Sequence, residues 1–354
     1  MSHKVVVWGT GNVGVPALRT VVSNPALELV AVLVSNPEKV GRDAGELVGL
    51  PPLGIRATDD IEAVLGSGAD AVAYCASGDF RPDEALADFE RCLRAGLNVV
   101  STSVYPLYDP TSAPEQIRSR MEAACTEGGA SCFVSGIDPG FINDVLPLAL
   151  SGLCEEIHEI RAYEIFNYAY YDQPDAVRNL VGFGMPMEQT PPMILPGVPT
   201  MVWGGVIRLV ARGLGVELDD IREEVERLPL DRTVENQLGV FEKGTQGAFR
   251  FEVQGLVGGK PKIVVDHTTR IDDAMAPHWP KPHEGSGAHG IKITGRPNIH
   301  LEIESEDENH DRAAGGNTTA AARVVNAIPF VCEAAPGLLD ALSVPLQVGR
   351  GLLR

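Results

Sequence analysis

The sequence predicts an α/β protein: an N-terminal doubly wound parallel sheet, then a second α+β domain carrying an open, mostly antiparallel sheet. Three observations predict it. An apolar run, "KVVVW", opens at Lys4, breaks at a glycine-rich turn and resumes with helical spacing. Short apolar runs then alternate with helical segments as far as Ser135. Beyond Glu155 that alternation stops, and longer runs with period-2 patterning face each other across tight turns.

The elements follow in order. Lys4–Trp8 is a strand, and Val15, Leu18, Val21 and Val22 mark the helix after it. Leu29–Val34 is the second strand. The helical "DDIEAVLGSG" precedes a third, Ala71–Ala76. A helix from Pro82 to Gly96 leads to Asn98–Ser101, and one from Pro114 to Gly128 leads to Ser131–Ser135. A short helix, "INDVLPLAL", follows Phe141, and Ile157–Phe166 is a longer strand. Residues 174–228 read as largely helical around a proline-rich turn at 191–199. Phe249–Leu256 and Ile263–Ile271 flank a Gly-Gly turn as a hairpin, and Gly290–Thr294 with His300–Glu304 form another. Ala320–Cys332 is a helix expected to pack back on the first domain. The domains read as 1–138 for the parallel sheet, 139–312 for the α+β part and 313–354 for the returning segment.

Composition narrows the function. The chain has 354 residues, 44% hydrophobic and 22% charged, with a net charge of -19. That balance argues against a nucleic-acid or acidic-membrane surface, because no excess of Lys and Arg exists to neutralise phosphates. No apolar run reaches the roughly 18 residues that span a bilayer, and Met1-Ser2-His3-Lys4 runs straight into a strand, so the cytoplasm is the expected compartment. The six cysteines show no C-x-x-C pair and read as reduced, buried thiols.

The turn after the first strand is Gly9-Thr10-Gly11-Asn12-Val13-Gly14, a G-x-G-x-x-G between strand and helix. Gly9 permits the tight turn, Gly11 lets a pyrophosphate approach, and Gly14 lets the helix lie close to the strand. The helix N-terminus offers N–H groups to phosphate. A dinucleotide is therefore expected. The second strand ends in Ser35-Asn36-Pro37-Glu38-Lys39, with Arg42 beyond and no acid at the tip. A hydroxyl with nearby cations suits a 2′-phosphate, so NADP is the expected cofactor; Glu38 keeps NAD open. Cys75, Ala76, Ser77 and Thr102 sit at later strand ends, where ligands of such sheets bind.

With these residues in view, the chain resembles the dihydrodipicolinate-reductase-like group that includes 2,4-diaminopentanoate dehydrogenase and NAD(P)H-dependent amine dehydrogenases. The resemblance rests on "GTGNVG", "AGLNVVSTS", "SGIDPGFINDVLPL", "VGFGMP" and "HDRAAGGNTTAAARVVNAIPFVCEAAPGLL", in order along most of the chain. It implies a Rossmann domain, a substrate domain whose sheet pairs subunits into a homodimer, and hydride transfer between nicotinamide and an imine or amine carbon. One position departs. Family amine dehydrogenases carry a glutamate just after the "NVV" strand; here Thr102-Ser103-Val104-Tyr105-Pro106 follows, with no carboxylate before Asp109. Carbonyl reduction without amination, and nucleotide binding without turnover, are the alternatives this leaves.

The hydride comes from the cofactor, and the protein must manage one proton. Tyr105 sits where the family glutamate sits and reads as proton donor or as an aromatic wall; Tyr108 is similar, and Asp109 reads as a turn residue. Glu164, in "EIFNYAYYDQP", is a displaced acid or an exposed strand residue, and Tyr168 borders the substrate region. Phe141 and Asn143 belong to the same expected pocket. "DAMAPHWPKPHEGSGAHG" holds Trp279, expected to pack on substrate, with His278, His283 and His289. Their spacing matches no helical or hairpin metal site, so no metal is expected. Asn317 and Thr318 are read as preceding the last helix, capping it or touching ligand. The Tyr, Phe, Met and Pro between 163 and 203, with Arg178 and Arg208 isolated, favour a bulky apolar small molecule.

Overall fold

The computed structural model describes residues 2–78 and 81–353. The chain divides into two compact units. One holds the residues up to Ile137 and those from Asn317 on; the other is Asp138–Gly316.

The first unit opens with β1 (His3–Trp8), α1 (Gly14–Ser23), β2 (Leu27–Leu33), α2 (Ile61–Leu65), β3 (Ala71–Tyr74), α3 (Pro82–Arg94), β4 (Asn98–Ser101), α4 (Glu115–Gly128) and β5 (Ser131–Val134). Adjacent strands pair in parallel: β2 with β1, β1 with β3, β3 with β4, β4 with β5. Val5, Val6 and Val7 are all fully buried. A strand covered on both faces needs an unbroken apolar run, which is why "KVVVW" shows no alternation. α3 shows the helical counterpart. Ala85, Leu86, Phe89, Cys92 and Leu93 are its buried stripe, Pro82 starts it, and Asp83 and Arg94 lie at the ends that suit their charges.

The second unit contains α5 (Val145–Ser151), β6 (Glu156–Asn167), α6 (Val198–Leu214), β7 (Asp220–Pro229), the small hairpin β8 (Val234–Asn236) and β9 (Gly239–Phe241), then β10 (Gln246–Val257), β11 (Lys260–Arg270), β12 (Gly287–Arg296) and β13 (Ile299–Ile303). Its main sheet runs β13-β12-β6-β11-β10-β7. Only the β11–β6 pair is parallel; the other four are antiparallel. One sheet face packs on α6, where a Cβ on Gly255 would lie 2.6 Å from Ile207. The other carries an ion-pair network of Arg161, Arg250, Glu252 and Asp266.

Three expectations fail here. Residues 174–228 are not mainly helical: α6 stops at Gly215, φ 69°, and β7 follows as an edge strand on β10. The glutamates of Asp220–Pro229 favour helix locally, but an available sheet edge overrides that preference. His289 does not share a loop with His278 and His283. It is buried in β12, while those two are exposed. The last helix is two helices, α7 (Arg312–Val325) and α8 (Ile328–Glu333). Asn317 and Thr318 therefore lie inside α7 and cap nothing. Asp311 caps it instead, its Oδ1 accepting from Ala313 N at 2.8 Å and Ala314 N at 3.1 Å.

After α8, β14 (Gly337–Leu339) pairs in parallel with β5 and completes the six-stranded order β14-β5-β4-β3-β1-β2. Ala321, Val324, Val325, Ile328 and Val331 enter the same buried cluster as Val5, Val7, Leu18, Val21 and Val32. Each such Val or Ile contributes roughly 1.5–3 kcal/mol on burial, so the returning segment is part of the first unit's core.

Candidate functional site

The glycine loop has the shape of a cradle. Gly9 has φ 102°, and a Cβ on it would lie 3.0 Å from Ala76 N. A Cβ on Gly14 would fall 2.1 Å from the Gly9 carbonyl oxygen, so only glycine lets α1 approach β1 this closely. A Cβ on Gly11 would meet nothing within 4 Å. The loop is closed behind and open in front, which fits a pyrophosphate. The first turn of α1 carries no acid. Gly9, Thr10, Gly11, Asn12, Val13 and Gly14 are thus the residues that would hold the dinucleotide phosphates.

Lys39 reaches back onto this loop. Its Nζ donates to the Thr10 carbonyl at 2.8 Å and to Thr10 Oγ1 at 3.1 Å. Ser35 is exposed, as are Asn36 and Arg42. Asn36 Oδ1 accepts from Glu38 N at 2.9 Å and fixes that turn.

The hydroxyls that close β4 are fasteners. Ser101 Oγ donates to the Tyr74 carbonyl at 2.8 Å, and Ser103 Oγ donates to the Ala76 carbonyl at 2.6 Å. They hold the ends of β3 and β4 at one level, beside Cys75, Ser77 and Thr102. Burial pushes the Cys75 thiol up to about 12, so it is no thiolate nucleophile at neutral pH. Val104 then takes φ 68°, an uncommon and strained conformation for a β-branched residue. Tyr105 follows, half-buried, its ring stacked 6.2 Å from that of Tyr108. Tyr108 is 3% exposed, and its hydroxyl donates to the Thr102 carbonyl at 3.3 Å. It supports the loop from the core.

The second unit holds a cluster of charged side chains. β6 lies between β11 and β12, and the registers pair Glu164 with His267 on one side and with His289 on the other. Residues directly opposite share a face, so the three form a row across three strands. His289 Nε2 lies 3.1 Å from Glu164 Oε2, and His267 Nδ1 lies 3.6 Å from Glu164 Oε1. Asp138 enters from before α5. Its Oδ1 accepts from Trp203 Nε1 at 2.6 Å and from His267 Nε2 at 3.1 Å. Phe251 stacks on the His267 imidazole at 4.8 Å, and Trp203 meets its edge at 4.5 Å.

Burial is deep: side-chain exposure is 0% for Asp138, 2% for His267 and 14% for Glu164. Burial alone would push His267 down, but the Asp138 and Glu164 carboxylates outweigh it and hold the imidazole up at about 9. Burial would likewise raise Asp138, but His267 and the Trp203 hydrogen bond leave it below the ordinary carboxylate value. At neutral pH the pair is an ion pair. Asp138 Oδ2 is buried with no hydrogen-bond partner among the described residues. One atom each from Asp138, Glu164 and His289 lie within 4.8 Å of one another, the geometry of a cation site.

The remaining expected contacts scatter within this unit. Phe141 is half-buried; Asn143 is buried, its Oδ1 accepting from Gly140 N at 3.1 Å and its Nδ2 unpartnered among the described residues. Tyr168 lies tilted against Tyr171 at 5.0 Å and meets Phe183 edge-on at 6.3 Å. Trp279 is 5% exposed. Glu164 is not the exposed strand residue of the alternative reading. His267 carries no local motif, and Asp138, though inside "SGIDPGFINDVLPL", was not singled out; strand register brings His267 to Glu164, and the chain entering α5 brings Asp138.

Comparisons with known proteins show the family and the fold. The family described as dihydrodipicolinate reductase, N-terminus, matches residues 3–104, and 2,4-diaminopentanoate dehydrogenase C-terminal domain matches residues 141–350. The chain is 58% identical over 351 residues to an amine dehydrogenase of Streptomyces virginiae, covering 98% of each. It is 24% identical over 351 residues to the 2,4-diaminopentanoate dehydrogenase of Acetoanaerobium sticklandii, covering 97% of this chain and 93% of that one. The structure of an amine dehydrogenase from Mycobacterium smegmatis shares the fold, with a TM-score of 0.80 at 20% identity over 99% of this chain and 98% of that one. No helix among the described residues is long and apolar enough to cross a membrane. The chain belongs to the dihydrodipicolinate-reductase-like amine dehydrogenase family, and it is an NAD(P)-dependent oxidoreductase.

Proposed function

We propose that this enzyme interconverts a ketone and its primary amine, with Glu164 as the carboxylate that handles the nitrogen. The carrying observation is the position of Glu164, one carboxylate held between two buried imidazoles. In the reductive direction a ketone, one ammonium ion and one reduced cofactor give the amine, water and oxidised cofactor. NADP is the proposed form, because Lys39 and Arg42 follow a strand tip without an acid. Bound there, the cofactor supplies the hydride. The chain's own groups manage protons: Glu164 takes one from the incoming ammonium and returns one to the departing hydroxyl. His289 orients the carboxylate, and His267 keeps it facing a positive charge.

Tyr105 is then an aromatic wall for a bulky, apolar ketone. The polar face of the second sheet, with its Arg161–Glu252–Asp266 network, is the proposed homodimer surface. Turnover of a ketone with NADPH, with and without ammonium, tests the assignment. Glu164→Gln should lower ammonium-dependent turnover about 10²- to 10⁴-fold, and Tyr105→Phe should change it less than about tenfold. A large loss in Tyr105→Phe with full amination in Glu164→Gln would transfer the role to Tyr105.

A further inference from the structure

The charge of the buried cluster is unbalanced. Asp138 and Glu164 supply two negative charges, and His267, held up at about 9, supplies one positive charge at neutral pH. Two carboxylates thus share His267 in an interior where a carboxylate left without a partner is costly. Asp138 Oδ2 is fully buried and accepts no hydrogen bond from any described residue. Buried carboxylate oxygens are normally satisfied, so an orphan of this kind marks a missing donor.

Geometry specifies that donor. Three atoms within 4.8 Å of one another enclose a point no more than about 2.8 Å from each, the length of a charge-assisted N–H···O bond. We propose that Asp138, Glu164 and His289 form a binding site for the ammonium ion. Ammonium brings one positive charge to two carboxylates and need not displace the His267 proton. It brings several donors, so it can satisfy Asp138 Oδ2 and a Glu164 oxygen together. A divalent cation would instead leave an excess positive charge beside a protonated His267, unless that imidazole lost its proton. The site rests on the amine–ketone reading above, and it gives that reaction a place where nitrogen is held before it meets the carbon. Glu164 is then both ligand and proton acceptor. Asp138 is a ligand alone, and His267 is a positioning residue acting through both carboxylates.

The test is thermal melting of the full chain in ammonium chloride against sodium chloride at equal ionic strength and pH 7, paired with the KM for ammonium. Ammonium should raise the melting temperature by about 2–4 °C over sodium, by mass action on the folded state. Asp138→Asn keeps the shape and removes the charge, and should abolish the ammonium-specific rise. Where it also folds, its KM for ammonium should rise about tenfold or more, with NADPH affinity unchanged. Glu164→Gln leaves the Asp138–His267 pair intact, so it remains informative if Asp138→Asn does not fold; it too should lose the rise. Equal melting of the unmodified protein in both salts would overturn the site. Stabilisation by micromolar zinc with none by ammonium would overturn it in favour of a divalent ion. An ammonium-specific rise in a protein that aminates no ketone would uphold the site and remove the reaction.

Discussion

Gly11 and Gly14 lie three residues apart and are glycine for different reasons. Gly14 is needed by the fold, since a Cβ there would press on the Gly9 carbonyl at 2.1 Å. Gly11 is not needed by the fold, since a Cβ there meets only open space, and a bound pyrophosphate is the proposed reason for it. Gly11→Val should therefore leave the melting temperature nearly unchanged and weaken NADPH binding by tenfold or more, roughly 1.4 kcal/mol. Gly14→Ala should do the reverse first, lowering stability by about 1–3 kcal/mol through overpacking. Circular dichroism melts and NADPH titration of both variants separate the two roles. Loss of binding in neither would remove the loop from the cofactor site. These glycines were legible in the sequence because the motif is local. The Glu164 row was not, because Glu164 lies about a hundred residues or more before His267 and His289 and meets them only through register.

The turn after β2 is where the proposed preference for NADP is tested. Lys39 is already engaged with Thr10, so it serves the loop as well as any phosphate. Arg42 is exposed and is the cleaner probe of the 2′-phosphate. Arg42→Ala should weaken NADPH about tenfold, the loss of one charge-assisted bond of roughly 1.5–3 kcal/mol, and leave NADH within about twofold. Lys39→Ala should weaken both cofactors and NADPH more. Tighter binding of NADH by the unmodified protein would assign the ribose to Glu38 instead. β7 teaches the opposite lesson about elements. Its glutamates and arginines suit a helix, yet it lies as a strand because β10 offers a free edge. Local propensity is worth tenths of a kcal/mol per residue, less than a full ladder of pairing.

Across the molecule, stability should carry the signature of the buried ion pair. His267 is raised above its unfolded value of 6.5 to about 9. Its contribution is therefore fully present below pH 6.5 and is lost as pH rises through about 9. Asp138 is lowered, so its contribution is present above its unfolded value of 3.8 and is lost as pH falls through its folded one. Melting temperature should decline between pH 6.5 and 9, and His267→Gln should flatten that decline while lowering stability at pH 6. An unchanged slope in His267→Gln would mean that His267 is neutral in the folded protein. Cys92, Cys125 and Cys332 play no part in this range, because burial pushes them up to about 12.

The sequence by itself determined the strand–turn–helix that binds a dinucleotide, the parallel α/β order of the first unit, the hairpins of the second and the family. Each of these is written in neighbouring residues, through periods of 2 and 3.6 and through glycines that a turn requires. The tertiary structure alone decided that Asp138, Glu164, His267 and His289 meet, that β7 is a strand, and that the hydroxyls after β4 are fasteners. Their partners are fixed by which strands adjoin and in what register, and a period along one strand contains no information about its neighbour.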